Sequence, residues 1–296
     1  MSFTSETKTM LCRITHAKEC CKRAQLYGML LFCNVFESSK IKYVTEHSDS
    51  AELFCRLVFD VYSAECNRYV TEKKQSGQKS YKMTLNLVDA RRIYSDLTTK
   101  NSDINREIFV CKNCREAFLR GAFIASGVIL NPHKTYHLEV RTDSVDIAEE
   151  LCALCAECNI NVKISNRQNS FFVYAKKSEE IETFLAFIGA NKAAFKLMDA
   201  KIVSDIRNNI NRVGNCEMAN LDKTICAAQE QISAIEKLKS AGKLANLGEN
   251  IVYTAALRTE NPEMSVGDLA KIHVPEVSKS CVVHRLSKII SLSKEL

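Results

Sequence analysis

The cysteines of this chain are numerous and partly clustered, as they would be at a metal centre. The clustered ones are the pair Cys111 and Cys114 and, at intervals of three, Cys152, Cys155 and Cys158. Thiolates at such spacings bind zinc or iron–sulfur clusters. Intervals of three also place cysteines on one buried side of a predicted helix, and Cys114 matches Cys21, which has no second cysteine at the same spacing. Buried thiols are therefore favoured, and neither a metal nor another cofactor is predicted.

The other residue types that support catalysis form no constellation of their own. His133 and His137 are four residues apart, but they lie across a predicted turn and into a strand, so structural roles are favoured over ligation. The sequence contains no glycine-rich phosphate loop and no dinucleotide fingerprint. Nothing pairs a particular cysteine with a particular histidine as a nucleophilic site requires.

The C-terminal residues have the composition of a nucleic-acid contact. From residue 278 onward, four lysines and arginines stand against one acid. Ser265 is predicted to cap a short helix over Val266–Lys271, and Ser278 to cap a last helix that runs to about Ser291. A short helix, a turn and a basic-faced helix are the pattern of a helix-turn-helix module.

The last predicted helix has one apolar side and one polar side. Its buried positions are Val282, Leu286 and Ile289. The candidate DNA-binding residues of the module are Ser265, Ser278, Lys279, Ser280, His284, Arg285 and Lys288. A helix N-terminus binds phosphate, and arginine reads guanine through two hydrogen bonds. The alternative is a small helical bundle used for protein contact, and the basic outer face favours DNA.

The part of the chain that precedes the C-terminal module contains an internal duplication. The residues that recur 93 positions later are Cys21, Ala24, Leu26, Gly28, Tyr43 and Glu46, matched by Cys114, Ala117, Leu119, Gly121, Tyr136 and Glu139. The shared order of the matches predicts two copies of one unit. Small residues on the repeated helices let another backbone approach closely, so the copies are expected to pack through those helices.

Hydrophobic periodicity assigns the same order of elements to both copies. The first copy is predicted as a helix within 5–34, strands within 35–46, a helix over 50–64, strands at Asn67–Glu72 and Lys79–Leu87, and a helix over Val88–Thr98. The second is predicted as a helix over 114–126, strands at Val128–Leu130 and Tyr136–Arg141, a helix over 144–158, strands at Asn161–Arg167 and Ser170–Ala175, and a helix after Ser178. The fold class is therefore α+β, with two αββαββα units followed by an all-α module.

Residues 190–245 lack strand signals and are predicted as two long helices. The stretch 207–223 holds five asparagines and the arginines Arg207 and Arg212. Asparagine side chains compete with the backbone for hydrogen bonds, which disfavours helix interiors. The stretch is therefore expected either to break the helix near Val213-Gly214-Asn215 or to form a polar contact surface, with the two arginines as further DNA-binding candidates.

The bulk composition is that of a globular protein. The 296 residues are 46% hydrophobic and 26% charged, with a net charge of +6, which fits about two domains and permits nucleic-acid binding. No apolar run reaches the roughly 18–20 residues that span a bilayer, and the first residues lack the order of a signal peptide. A cytoplasmic location without a membrane partner is therefore expected.

Several stretches together resemble the WhiA family of bacterial transcription regulators. They are Met-Ser-Phe-Thr at the start, Phe-Leu-Arg-Gly-Ala-Phe-Ile-Ala-Ser-Gly at 118–127, Tyr-His-Leu-Glu at 136–139, Ile-Gly-Ala at 188–190, Gln-Ile at 231–232 and Ser-Lys-Ser at 278–280. The most specific is Arg-Asn-x2-Asn-Arg-x2-Asn-Cys-Glu-x-Ala-Asn-x2-Lys at 207–223. The resemblance covers the whole chain.

The resemblance implies three regions and a function. Residues 1–205 would form a degenerate LAGLIDADG homing-endonuclease-like domain with repeats at about 18–100 and 111–190, residues 206–245 a helical linker, and residues 246–296 a helix-turn-helix domain. The resemblance implies a nucleoid-associated regulator that binds double-stranded DNA at promoters. Its processes would be cell division, chromosome segregation and, in spore formers, sporulation. Another transcription regulator is a further implied partner. The alternative is a scaffold that binds a protein or a ligand.

The resemblance also bears on catalysis, because active LAGLIDADG endonucleases hold divalent metal with a carboxylate near the end of each central helix. On this chain those two positions are Cys33 and Ser126, and the other Asp position of the motif becomes Leu31 and Ile124. A neutral cysteine or serine does not replace a carboxylate ligand. No enzyme activity is therefore expected, and metal-dependent DNA cleavage is the alternative.

Overall fold

A computed structural model describes residues 2–72, 77–99 and 104–296. They divide into two units, the first ending at Ser204 and the second running from Asp205 to Leu296. Among the described helices, none has both the length and the apolar character needed to cross a membrane.

The first unit contains both predicted copies, and each has the predicted order of elements. Helix α1 (Phe3–Cys12) comes first, followed by α2 (Glu19–Leu31), β1 (Val35–Glu37), β2 (Lys40–Thr45), α3 (Ser48–Tyr62), β3 (Asn67–Glu72), β4 (Lys79–Thr84) and α4 (Leu87–Leu97). The second copy has α5 (Cys114–Ser126), β5 (Gly127–Ile129), β6 (Leu138–Thr142), α6 (Val145–Glu157), β7 (Lys163–Arg167), β8 (Ser170–Ala175) and α7 (Ser178–Phe187). The predicted αββαββα architecture is confirmed.

Each copy folds its four strands into one antiparallel sheet. The strand orders are β1-β2-β4-β3 and β5-β6-β8-β7, so the two sheets share one topology. Tyr43 pairs with Met83 in the first sheet and Val140 with Val173 in the second, and all four side chains are buried. Because side chains alternate between the two faces of a strand, these pairs mark the face of each sheet that covers the core.

The two copies meet through α2 and α5, which contact each other at a pair of glycines. A Cβ atom on Gly28 would lie 2.1 Å from the carbonyl oxygen of Phe118, and one on Gly121 would lie 2.1 Å from that of Gln25. Only glycine permits such a backbone approach. The predicted packing of the repeated helices is confirmed, and it aligns the starts of α2 and α5 at one end of the pair and their last residues at the other.

The N-terminal helix differs from the prediction of one helix within 5–34. The structure has two helices, because α1 ends at Cys12 and α2 begins only at Glu19. The intervening segment carries His16, whose Nε2 lies 2.7 Å from Gln25 Oε1 and 3.0 Å from Nη1 of Arg120. These contacts with two different helices keep the connecting segment from continuing as a helix. Hydrophobic periodicity along the sequence gives no information about such contacts.

The second unit is all-helical. Its elements are the remainder of α8 (Asn191–Ser240), α9 (Glu249–Glu260), α10 (Val266–Ile272) and α11 (Lys279–Ser293). Its core is formed by Ala234, Ile235, Leu238, Ala255, Leu269, Ala270, Val282, Leu286 and Ile289. The end of α8 therefore packs in the same core as the three C-terminal helices.

Helix α8 is continuous, so the predicted break near Val213-Gly214-Asn215 is wrong. Outside the surrounding backbone of its own helix, no heavy atom of the described residues lies within 4 Å of a Cβ built on Gly214, and Asn215 is exposed. The asparagine side chains point to solvent there instead of competing with the backbone hydrogen bonds of the helix.

Candidate nucleic-acid interface

The helices of the C-terminal module begin at serine caps. Ser265 Oγ accepts a hydrogen bond from the backbone N–H of Asp268 at 3.2 Å, and Ser278 Oγ accepts one from that of Cys281 at 3.3 Å. The Ser265 hydroxyl also donates to the Asp268 carboxylate at 2.7 Å. Both predicted caps are confirmed, and they define the starts of α10 and α11.

Helix α11 separates its core side from its outer side as predicted. Val282, Leu286 and Ile289 are buried in the core of the second unit. The exposed side chains of the candidate DNA-binding set on this helix are Lys279, Ser280, His284 and Lys288. The outer face is therefore basic and polar at the helix start, where free N–H groups add a partial positive charge.

Arg285 differs from the other candidates because its side chain is held inside the module. It is half-buried, and its Nη1 donates to Thr254 Oγ1 of α9 at 3.2 Å. The Thr254 hydroxyl donates to the carbonyl oxygen of Asn250 at 2.8 Å and lies 3.2 Å from Nε2 of the buried His273. Burial and, secondarily, the Arg285 charge lower the pKa of His273. Arg285 thus fastens α11 to α9.

A groove in the second unit brings together two of the predicted residues. It has a volume of about 260 Å³ and is lined by Lys223, Thr224, Ala227, Arg258, Ser265, Val266, Gly267 and Lys279. Ser265 and Lys279 belong to the predicted set, whereas Lys223 lies in the predicted contact stretch 207–223 without being named as a DNA-binding residue. The signal that could have found Lys223 is its place as the last residue of the Asn/Arg-rich stretch.

The wall of this groove is stiffened by Arg258. The side chain is 1% exposed, and its Nη1 donates to the carbonyl oxygens of Met264 at 2.7 Å and Asn261 at 3.2 Å. Both acceptors lie in the turn between α9 and α10. Because Arg258 is buried and occupied, the charges presented at the groove are those of Lys223 and Lys279.

Part of the Asn/Arg-rich stretch of α8 shares one face of the helix. At about 100° per residue, one helix face carries Asn208, Arg212, Asn215, Ala219 and Lys223. Arg212 lies roughly 16 Å before Lys223 along the axis, at about 1.5 Å per residue. Arg207 is also exposed, but five residues of helix turn it about 140° away from Arg212. The structure therefore aligns Arg212, and not Arg207, with the groove residue Lys223.

The far end of the central helix pair carries a cysteine and a serine at the two positions where an active LAGLIDADG endonuclease has carboxylates. Cys33 and Ser126 line one open cavity of about 610 Å³. Burial raises the pKa of Cys33 to about 12, so the thiol is neutral, and the buried Ser126 Oγ has no hydrogen-bond partner among the described residues. The carboxylates that line the cavity, Glu37 and Asp143, come from other elements. Asp143 is engaged, because Arg141 donates to it at 3.1 Å.

Comparison with known sequences places the whole chain beside one family. The model of the WhiA LAGLIDADG-like domain matches residues 115–207, and that of the WhiA C-terminal helix-turn-helix domain matches residues 210–293. A protein of Ruminiclostridium cellulolyticum called "Probable cell division protein WhiA" is 35% identical and covers 100% of this chain and 98% of its own length. A Desulfitobacterium hafniense protein of the same description is 35% identical over 100% of this chain and 96% of its own length.

Solved structures support the same fold. Full-length WhiA from Thermatoga maritima superposes with a TM-score of 0.60 at 22% identity, covering 100% of this chain and 99% of that one. The isolated N-terminal LAGLIDADG domain of a WhiA protein gives a TM-score of 0.51 at 19% identity over 64% of this chain and 92% of that one. At these identities the likeness concerns the fold alone.

Proposed function

Because the chain belongs to the WhiA family, we propose that it is a transcription regulator that binds specific sequences in promoter DNA and does not cleave them. The observation that carries the proposal is the basic groove of the second unit. There, Lys279 at the start of α11 and Lys223 of α8 line one concave surface together with the capped start of α10.

The outer face of α11 has the chemistry needed to read a duplex. In a helix-turn-helix, residues in the first turns of the second helix contact base edges in the major groove. Lys279, Ser280, His284 and Lys288 are exposed on α11 and supply hydrogen-bond donors and acceptors. The caps Ser265 and Ser278 and the free N–H groups beside them suit phosphate oxygens. Arg285 supports this face by tying α11 to Thr254.

The polar face of α8 extends the proposed surface beyond the groove. Arg212 shares this face with Lys223, and asparagines lie between them. Lysine and arginine neutralise phosphates, while asparagine donates to phosphate or base edges. One helix face and one recognition helix would then contact neighbouring stretches of the same duplex. Arg207, which points elsewhere on α8, is expected to contribute less.

The absence of nuclease activity is part of the proposal. Two-metal cleavage requires oxygen ligands that carry negative charge at both helix ends. Cys33 and Ser126 occupy those positions as neutral groups, and Asp143 is engaged by Arg141. Incubation of the chain with supercoiled DNA and Mg²⁺ or Mn²⁺ is expected to leave the DNA intact, and metal-dependent nicking would overturn this part.

The biological setting follows from the relatives. Curated relatives at 35% identity are described as probable cell division proteins, which supports a role in cell division for this chain. On the basis of the family resemblance, we extend the proposal to chromosome segregation and, in spore formers, to sporulation. We place the protein at the nucleoid for the same reason, with another transcription regulator as a further partner.

A binding series with matched variants tests DNA recognition. Genomic fragments bound by the full chain provide the probe, and fluorescence anisotropy gives the affinity at several salt concentrations. Each phosphate contact contributes about 0.9 to the slope of log K against log salt, so Lys279→Ala with Lys288→Ala should lower the slope by up to about 2. The affinity should fall on the order of tenfold or more, because each charge-assisted hydrogen bond contributes about 1.5–3 kcal/mol.

Two controls distinguish the loss of a direct DNA contact from the loss of positive charge on the protein. Lys239→Ala with Lys243→Ala removes the same charge elsewhere in the second unit and should change the affinity by less than about threefold. On α8, Arg212→Ala should weaken binding more than Arg207→Ala. Equal effects of the two lysine pairs would contradict the proposed recognition helix, and equal effects of the two arginines would contradict the proposed α8 face.

A second candidate function is supported by the opposite side of α8. Ile206, Ile210 and Val213 are 56%, 65% and 51% exposed at helical spacing. An exposed apolar stripe of this kind is typical of a protein contact, so a scaffold that acts through a partner regulator is the alternative. Replacing these three residues with glutamine would abolish regulation while leaving DNA affinity unchanged if the scaffold role dominates.

A further inference from the structure

Four cysteines of the first unit meet at the starts of the two central helices. They are Cys20, Cys21, Cys111 and Cys114, and their sulfur atoms all lie within 4.8 Å of one another. Cys111 Sγ lies 3.7 Å from that of Cys20, 3.5 Å from that of Cys21 and 3.5 Å from that of Cys114. Within residues 2–72, 77–99 and 104–296, no other such group of histidine, cysteine or acidic side chains is close enough to share an ion.

These distances distinguish between the kinds of site that four thiols form. Zinc binds four thiolates as a tetrahedron with Zn–S bonds of about 2.3 Å, which places the sulfurs about 3.8 Å apart. The three distances around Cys111 are within about 0.3 Å of that spacing. An iron–sulfur cluster inserts several iron and sulfide atoms between its cysteines and so holds them further apart. A disulfide would need a separation of about 2.0 Å.

We propose that Cys20, Cys21, Cys111 and Cys114 bind one zinc ion, which joins the two copies of the repeat at the starts of α2 and α5. Cys20 and Cys21 belong to the first turn of α2. Cys114 is the first residue of α5, and Cys111 precedes it in the connecting segment. Each copy therefore contributes two ligands, and the ion would act as a cross-link between them.

The surroundings suit a site that carries a net negative charge. A zinc ion with four thiolates has a charge of −2, and the N-termini of both central helices direct partial positive charge toward it. The backbone N–H of Cys111 donates to Cys114 Sγ at 3.4 Å, which favours a thiolate at Cys114.

The four cysteines do not all occupy equivalent positions in the two copies. For this reason, the spacing of cysteines in the sequence does not reveal the site. Cys21 and Cys114 are equivalent in the two copies. The equivalent of Cys20, however, is Asn113, and the equivalent of Cys111 is Lys18. The first copy therefore contains no C-x2-C pair to match Cys111 and Cys114. Only the close contact of α2 with α5 brings the adjacent pair Cys20-Cys21 near that pair.

The experiment uses the full chain, purified anaerobically with a reductant, and measures its metal content by mass spectrometry. About one zinc ion per chain is expected. Titration of the metal-free chain with Co²⁺ should produce the thiolate charge-transfer bands and strong visible absorption of a tetrahedral cobalt–thiolate site, and Zn²⁺ should displace the cobalt. Because these measurements need no variant, they test the proposal even if a variant fails to fold.

Variants assign the ligands. Cys20→Ser with Cys111→Ser changes two half-buried thiols and should lower zinc affinity by on the order of 100-fold or more. The matched control is Cys216→Ser with Cys226→Ser, which removes two exposed thiols of α8 and should keep the zinc. Cys20→His should also keep it, because histidine replaces cysteine in zinc sites.

Several results would overturn the proposal. The first is a reduced wild-type chain that binds neither zinc nor cobalt at a tetrahedral thiolate site. The second is a chain that carries iron and sulfide instead of zinc. The third is an intact mass that shows a disulfide among the four cysteines after reducing purification. Full zinc binding by Cys20→Ser with Cys111→Ser would also overturn the assignment. DNA affinity is measured in parallel, so failure of the zinc site and failure of the proposed DNA-binding function remain distinguishable.

Discussion

The contact between the central helices predicts a large penalty for adding a single methyl group. In Gly121→Ala the new Cβ would lie 2.1 Å from the carbonyl oxygen of Gln25, whereas ordinary contact begins at 3.4 Å. The difference of about 1.3 Å must come from separation of the two backbones, because a carbonyl oxygen within a helix does not rotate away. A gap of about 0.5–1 Å already forfeits a quarter to a half of the dispersion energy of each atom pair across the interface.

The expected loss is at the upper end of the range for overpacked cores, about 3 kcal/mol in the free energy of unfolding. For a unit of this size, 1 kcal/mol lowers the melting temperature by about 2–4 °C, so the expected decrease is about 6–12 °C. Differential scanning calorimetry and urea unfolding of the full chain measure both quantities.

Gly214→Ala is the matched control. It adds the same methyl group to α8, where no heavy atom of the described residues outside the neighbouring helix backbone lies within 4 Å of the new Cβ. Alanine is favoured over glycine in a helix interior by about 0.5–1 kcal/mol, so a small gain in stability is expected. A Gly121→Ala melting temperature within about 1 °C of wild type would refute the close contact between α2 and α5.

Three further predictions concern buried polar groups. Arg120→Met removes the donor to the carbonyl oxygen of Ile188 at 2.7 Å and should lower the free energy of unfolding by about 2–4 kcal/mol in urea titrations, whereas an unchanged midpoint would refute the role. The folded-state pKa of His273 is depressed, so the unfolded chain binds more protons and stability should fall as the pH drops below about 6.5. Melting curves should show a weaker pH dependence for His273→Gln, and an identical one would contradict this linkage. Thr254→Val removes the acceptor of Arg285 and should lower the free energy of unfolding of the second unit by about 1–3 kcal/mol in chemical denaturation, with no loss if Arg285 finds another acceptor.

The features that could be predicted from the sequence are those with local causes. The serine caps at 265 and 278 depend on a side chain and an N–H three residues later, so composition near the helix start reveals them. The buried stripe of Val282, Leu286 and Ile289 follows from helical periodicity. The duplication is recognisable in the sequence partly because Gly28 and Gly121 must both be glycine where the two copies contact each other.

The features that escaped prediction depend on contacts between distant segments. The break between α1 and α2 is held by His16, which reaches Arg120 more than 100 residues away. The continuity of α8 depends on the exposure of residues such as Asn215, and propensity alone argued for a break.

The candidate site was predicted in part for the same reason. The capping serines and the exposed face of α11 follow from local pattern, but the inward position of Arg285 depends on Thr254 of another helix. Lys223 joins the groove with Lys279 through tertiary packing, and Cys20 meets Cys111 only because the two copies pack together. The spacing of residues along the sequence does not predict such contacts between distant segments.

Genome-wide occupancy of the full chain and of its Lys279→Ala with Lys288→Ala variant tests the central claim most directly. With the two proteins at equal cellular levels, discrete promoter peaks are predicted for the wild type and loss of those peaks for the variant. Unchanged peaks in the variant would contradict recognition of DNA through the exposed face of α11.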